Sequence, residues 1–210
     1  MAAKMITLNF NNFSNDQENL SIGMFYKNQA WADKETAIVW KVITGCAKGQ
    51  TQQFEIPPHF QVSASDATAR HLRRLTAKEG DAFEVVKSLR GTDIKLSKDQ
   101  SAVPSTIEVR NGLPLGEVTA SIYKDGRLLD VSAPMHPSYK AVFQFDAYVY
   151  FFAAKNLVEG QTINLATLDK SLTEIDLFGV ASADIVMTGG GIGPMSTPLD
   201  FHLANILQHD

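Results

Sequence analysis

The chain has 210 residues, 44% of them hydrophobic and 20% charged, with a formal net charge of −4. A chain of this length buries roughly 70% of its unfolded surface and needs no staples. The acidic balance argues against a whole-domain polyanion binder, the single Cys46 rules out an internal disulfide, and no window approaches the ~18 apolar residues of a membrane-crossing helix.

The N-terminus carries one positive charge, Lys4, and no long apolar run, so no signal peptide is expected. The location this predicts is the cytoplasm, or release without an N-terminal signal. Ile6, Leu8 and Phe10 then alternate with Thr7 and Asn9, the period of a half-buried strand. Asn11 to Asp16 is a turn cluster, because Asn, Asp and Ser side chains bond their own backbone. Leu20 to Tyr26 follows as a strand, then a polar loop around Trp31, Ala32, Asp33 and Lys34. Thr36 to Thr44 is β-branched and nearly continuous, which predicts one central strand. Gln52 to Ile56 is a further strand, ended by Pro57 and Pro58.

The middle changes character. Asp66 to Lys78 places Leu72 and Leu75 three apart, with Ala69 completing a thin stripe and Asp66 available as a cap, so a helix is expected there. Ala82 to Leu89 suits helix or strand, and Gly91 to Ser105 reads as a polar loop. Residues 64–105 are therefore expected to form a partly helical excursion inserted in the fold.

Two β-hairpins are expected next. Glu117–Lys124 and Arg127–Val131 flank Asp125-Gly126, the dipeptide suited to a two-residue type I′ turn. Tyr139–Phe145 and Tyr148–Phe152 flank Asp146-Ala147. Short strands at Thr106–Arg110, Thr162–Leu165, Glu174–Phe178, Ala183–Thr188 and Leu199–Leu203 complete the pattern. The predicted fold is mainly β: a single domain over 1–210, a two-sheet antiparallel β-sandwich.

Chemical signatures are sparse. Gly189 to Pro194 lacks the following helix and Lys of a phosphate cradle, and reads as a loop joining the last two strands. The histidines at 59, 71, 136, 202 and 209 show no metal-ligand spacing, and no Gly-x-Ser-x-Gly elbow exists. Cys46 reads as a passive small residue. Arg70, Arg73, Arg74 and Lys78 lack the interleaved aromatics on which bases stack, so they read as a solvated helix face rather than a nucleic-acid site. Trp31, Trp40, Tyr123, Tyr148 and Tyr150 could line a groove. Trp31, in its polar loop, is the best platform. His136, between Pro134 and Pro137 on a rigid bend, and Tyr139, opening the aromatic strand, are the other ligand candidates.

Val118-Thr-Ala-Ser-Ile-Tyr123, the hairpin, the Pro134 bend, the aromatic strands, Val158–Leu165 and Glu174–Val180 resemble the family of small bacterial proteins related to the rhizosphere-expressed RhiA protein. Ile6–Phe10 and the Trp-bearing Ala37–Val42 resemble that family's opening strands, and 64–105 falls outside the resemblance as an insertion or a diverged part. The chain differs where the family has a His-Pro pair before its last aromatic strand: Phe145-Asp146-Ala147 stands there, and His136-Pro137 lies earlier. The resemblance implies a β-sandwich and carries no catalytic residue.

These readings together predict a non-enzymatic binding or interaction protein. Its end loops would engage a carbohydrate, a lipid head group or a protein partner, with no cofactor and no metal. A self-assembling or toxin-like secreted product, and an enzyme of unrecognised type, are the alternatives.

Overall fold

A computed structural model describes residues 4–16, 20–31, 33–68, 70–89, 91–168, 172–192 and 194–209. Residues 1–3, Ala32, Ala69 and Gly193, which enter the readings above, lie outside them.

The protein is mainly β. Along the chain run β1 (Ile6–Asn12), β2 (Ser21–Phe25), β3 (Thr36–Ile38), β4 (Lys41–Ile43) and β5 (Thr51–Ile56). Next come β6 (Phe60–Asp66), β7 (Leu75–Ala77), β8 (Ala82–Ser88), β9 (Gly91–Leu96) and β10 (Ile107–Asn111). Then follow β11 (Val118–Lys124), β12 (Arg127–Val131), β13 (Lys140–Phe143) and β14 (Tyr148–Ala154). The last are β15 (Thr162–Asn164), β16 (Thr173–Asp176), β17 (Val180–Gly190) and β18 (Thr197–Gln208). Single 3-10 turns lie at Gln29–Trp31 and Leu165–Thr167. Among the described residues no helix is long and apolar enough to cross a membrane.

The chain forms two compact units: Met1–Lys27, Asp33–Pro58 and Ala147–Asp210 make the first, Asn28–Ala32 and His59–Asp146 the second. The first unit holds the sheets β18-β17-β1-β5 and β16-β14-β2-β4 with the two-stranded β15-β3; the second holds β13-β10-β8-β9 and β12-β11-β6-β7. The mainly β, sandwich-like class expected from the sequence is what forms, its strands distributed over four four-stranded sheets and one two-stranded sheet. Most pairs are antiparallel, but β1 with β17 and β8 with β10 are parallel.

Alternation builds the cores. In β1, Leu8 and Phe10 are fully buried while Thr7, Asn9 and Asn11 are only partly so. Phe10 meets Phe201 of β18 at 6.5 Å between ring centroids, and Phe201 meets Phe151 of β14 at 5.8 Å, joining the two large sheets of the first unit. In the second unit Val62, Val85, Ile94, Val109, Ala120 and Ile122 are fully buried.

Four local expectations are corrected. Asp66–Lys78 is not a helix: Asp66 Oδ1 accepts from the amides of Thr68 (3.0 Å) and Arg70 (3.3 Å), so it caps a turn. Leu72 returns antiparallel to β6, its amide donating to the Ala64 carbonyl at 2.8 Å while Ser63 Oγ donates to the Leu72 carbonyl at 2.7 Å. Gly91–Ser105 is not all loop, because Ile94 pairs with Val85 and is buried in β9. The excursion at 64–105 is therefore stranded, and it is part of the larger insertion His59–Asp146. The second hairpin does not form: β13 pairs with β10 and β14 with β2 and β16. Asp146-Ala147 lacks the glycine that a type I′ turn favours at its second position, and the units change there. Thr36–Thr44 is two short strands, because Val39 and Trp40 bond outside both, to Gln161 (2.9 Å) and Met24 (2.8 Å) carbonyls.

Candidate functional site

Trp31, His136 and Tyr139 all lie in the second unit. Pro137 and Ser138 occupy the corner of a turn closed by the Tyr139 amide on the His136 carbonyl at 3.1 Å, with Ser138 at φ 69°. Proline first and positive φ second make this a type II turn. Buried Asn111 clamps it. Its backbone carbonyl accepts from Ser138 (2.8 Å), its amide donates to Tyr139 O (2.9 Å), and its Nδ2 donates to Met135 O (2.8 Å).

The clamp turns His136 and Tyr139 outward, edge to face at 6.1 Å and 75°. Glu117, which the sequence reading passed over, adds Oε1 at 3.3 Å from His136 Nδ1. The group is exposed and forms a solvated pair rather than a pocket. Trp31 is not brought to it. It ends the 3-10 turn, its amide donating to Asn28 O at 3.0 Å, and its half-buried ring tilts against Phe143 at 6.5 Å. Asn28 anchors this turn through Nδ2 to Asp130 Oδ2 (3.0 Å) and Val142 O (3.3 Å).

A concave site lies in the first unit. A cavity of about 280 Å³ is lined by Phe152, Ala154, Leu157, Ile163 and Leu168 on its apolar side, and by Lys155, Gln161, Thr162, Asn164 and Thr167 at its polar rim. Its floor continues into a buried cluster where Phe25 stacks on Tyr150 at 5.1 Å and meets Phe152 edge-on at 6.0 Å. Phe152 lies flat on Gly23, where a Cβ would collide with the ring. Asn164 shapes the rim by capping the turn Leu165–Thr167, its Oδ1 accepting from Ala166 N at 3.0 Å. Gln161 does the same for its own turn, accepting from Val158 N at 3.1 Å. The sequence signal was the Gly160-Gln-Thr-Ile-Asn-Leu165 stretch, read only as a strand. Its cavity forms between β14 and β15, which are near in sequence but enter different sheets.

The remaining candidates are structural. Burial pushes the Cys46 thiol up, which suits its passive reading. The arginines are not a helix face. Arg70 Nη2 donates to Thr92 O (3.0 Å), Arg73 Nη2 to Ile94 O (3.1 Å) and Arg74 Nη1 to Gly126 O (2.9 Å). Gly189-Gly190 ends β17 and leads to β18, as a strand connection. Buried Glu108 binds Lys140 Nζ (2.7 Å), Arg110 Nη2 (2.7 Å) and Ala102 N (2.9 Å). Among the described residues no three His, Cys, Asp or Glu side chains gather as a metal site. Searches of family models, curated proteins and solved structures return no match to this chain.

Proposed function

We propose that this chain is a non-enzymatic binding protein that takes a small amphipathic molecule, a short acyl chain with a polar or anionic head, in the cavity of its first unit. The cavity is the observation that carries this reading: apolar side chains from β14, β15, Leu157 and Leu168 on one side, amide, hydroxyl and ammonium groups on the other. A sugar ring is disfavoured there, because Phe152 is fully buried and offers no free face for stacking. The RhiA-like resemblance, and residence in the cytoplasm or release without an N-terminal signal, belong to the same proposal. Its partner is a small ligand, not a nucleic acid.

A thermal-shift panel of medium-chain fatty acids, monoacylglycerols and oligosaccharides tests it. An acyl ligand at 100 times its Kd should add about 2.7 kcal/mol of stability. Thr162→Trp, at an exposed rim position, should fill the cavity and remove the shift while keeping the unliganded melting temperature. No shift from any acyl compound, or equal binding by the variant, would overturn the reading.

A further inference from the structure

A sheet edge displays unpaired N–H and C=O groups, and proteins blunt such edges with short strands and charged side chains. Most edges here follow that rule. β4 and β7 have three residues each, β13 and β16 four. β9 carries Asp93 and Lys95, β12 carries Arg127 and Asp130, and β5 carries Glu55.

β18 departs from it in length and sparse charge, although Pro198 and register shifts against β17 interrupt it toward its ends. It is an edge strand of 12 residues, the longest strand of the described structure, and its only ionisable side chains are Asp200 and His202. β16 of the other sheet approaches it without pairing to it. Its inner edge is spent on β17 over Val180 to Gly190. Large apolar side chains stand exposed at both ends of this hairpin: Ile206, Leu207 and Phe178 at one, Ile192 and Met195 at the other.

The charge and apolar pattern of β18 is complementary to itself. Asn205 takes left-handed backbone at φ 49°, and the register against β17 shifts between Thr188 and Gly190, so the regular ladder is Asp200 to Ala204. An antiparallel copy centred on Phe201 sets Asp200 opposite the second copy's His202, on both sides of the centre. On the other face it sets Leu199 opposite Leu203. Asp200 and His202 are already side by side and exposed, Oδ2 to Nδ1 at 3.3 Å, so the pairing would set each carboxylate beside an imidazole of the second copy as well as its own. Leu199 and Leu203 are half-buried beside core residue Phe201, so each would extend an apolar layer across the junction.

We propose that β18 is the self-association edge of this protein. Two copies join antiparallel about Phe201 and make one continuous sheet, β5-β1-β17-β18 followed by its two-fold mate. This inference does not depend on the ligand cavity. Main-chain hydrogen bonds supply the attraction, the Asp200–His202 and Leu199–Leu203 pairs set the register, and the closed two-fold limits assembly to a dimer.

Sedimentation velocity over a concentration series, with melting curves to verify folding, tests the register by charge exchange. Wild type should shift from chain mass to twice that mass. Asp200→Lys alone removes the carboxylate that faces His202, and His202→Asp alone sets carboxylate opposite carboxylate; each should weaken association about tenfold or more. The double variant restores opposite charges and should recover the dimer. Outward amides of β18 should also gain hydrogen-exchange protection with concentration in wild type alone among the first three proteins. A wild type that stays monomeric through the millimolar range, singles that dimerise like wild type, a folded double variant that fails to recover, or open-ended polymers would each overturn the proposal.

Discussion

At Gly126 and Gly189 the backbone decides what a side chain would cost. Asp125 and Gly126 sit at φ 53° and 71°, the two positive values of a type I′ turn. Gly126→Val should destabilise by about 1–3 kcal/mol, read as a lowered urea midpoint, because a β-branched residue resists that conformation. Gly126 faces open space, whereas a Cβ on Gly189 would collide with the Pro198 carbonyl. Gly189→Ala should therefore lower the midpoint more than Gly126→Ala; the reverse order would contradict the packing.

Lys124 is a second test at this scale. Burial pulls its ammonium down to about 8, partly opposed by the charge of Glu79, and its Nζ sits 4.1 Å over the Phe60 ring. Between about 8 and the ordinary 10.5 the unfolded chain holds a proton here that the folded chain has lost. Stability should rise with pH across that window. Lys124→Met should flatten that rise, measured as the difference between the two proteins' denaturation midpoints.

At the scale of elements, β10 and β13 are tied by one buried carboxylate. Burial would raise Glu108, but hydrogen bonds from Lys140, Ala102 N and Arg110 outweigh it and hold the carboxyl at about 2. A depressed carboxyl stabilises above its unfolded value, 4.5, and that contribution fades as pH falls toward 2. Glu108→Gln should cost about 1.5–3 kcal/mol at neutral pH, the range for a hydrogen bond to a charged group. The gap from wild type should close on acidification, as chemical denaturation at several pH values would read.

Elements also separate what local sequence specifies from what it does not. The β11–β12 hairpin was legible because its turn dipeptide and strands are adjacent. The helix at 66–78 was expected from the Leu72–Leu75 spacing and the Asp66 cap, but Leu72 bonds to Ser63 and Ala64 across a reversal that such local spacing does not encode. β9 was missed because only Ile94 marks its buried face. The cavity was missed because it opens between β14 and β15, which follow one another in sequence but enter different sheets.

At the scale of the molecule, His59–Asp146 is inserted between segments of the first unit. The insertion begins and ends side by side: Phe60 and Phe145 stack at 5.5 Å between centroids. Replacing 59–146 by a short Gly-Ser linker should therefore leave the first unit folded, with native-like β circular dichroism and a cooperative melt. An unfolded product would show that the first unit cannot stand without its insertion.

Alternation and β-branched content by themselves determined that this chain is mainly β, and Asp125-Gly126 determined one turn, because side-chain period and turn conformation are local properties. Tertiary structure alone decided that β13 and β14 part company, that β1 runs parallel to β17 and that a cavity opens beside Phe152. Strand partners are chosen by burial and hydrogen bonding between residues far apart in sequence, and no local pattern carries that choice.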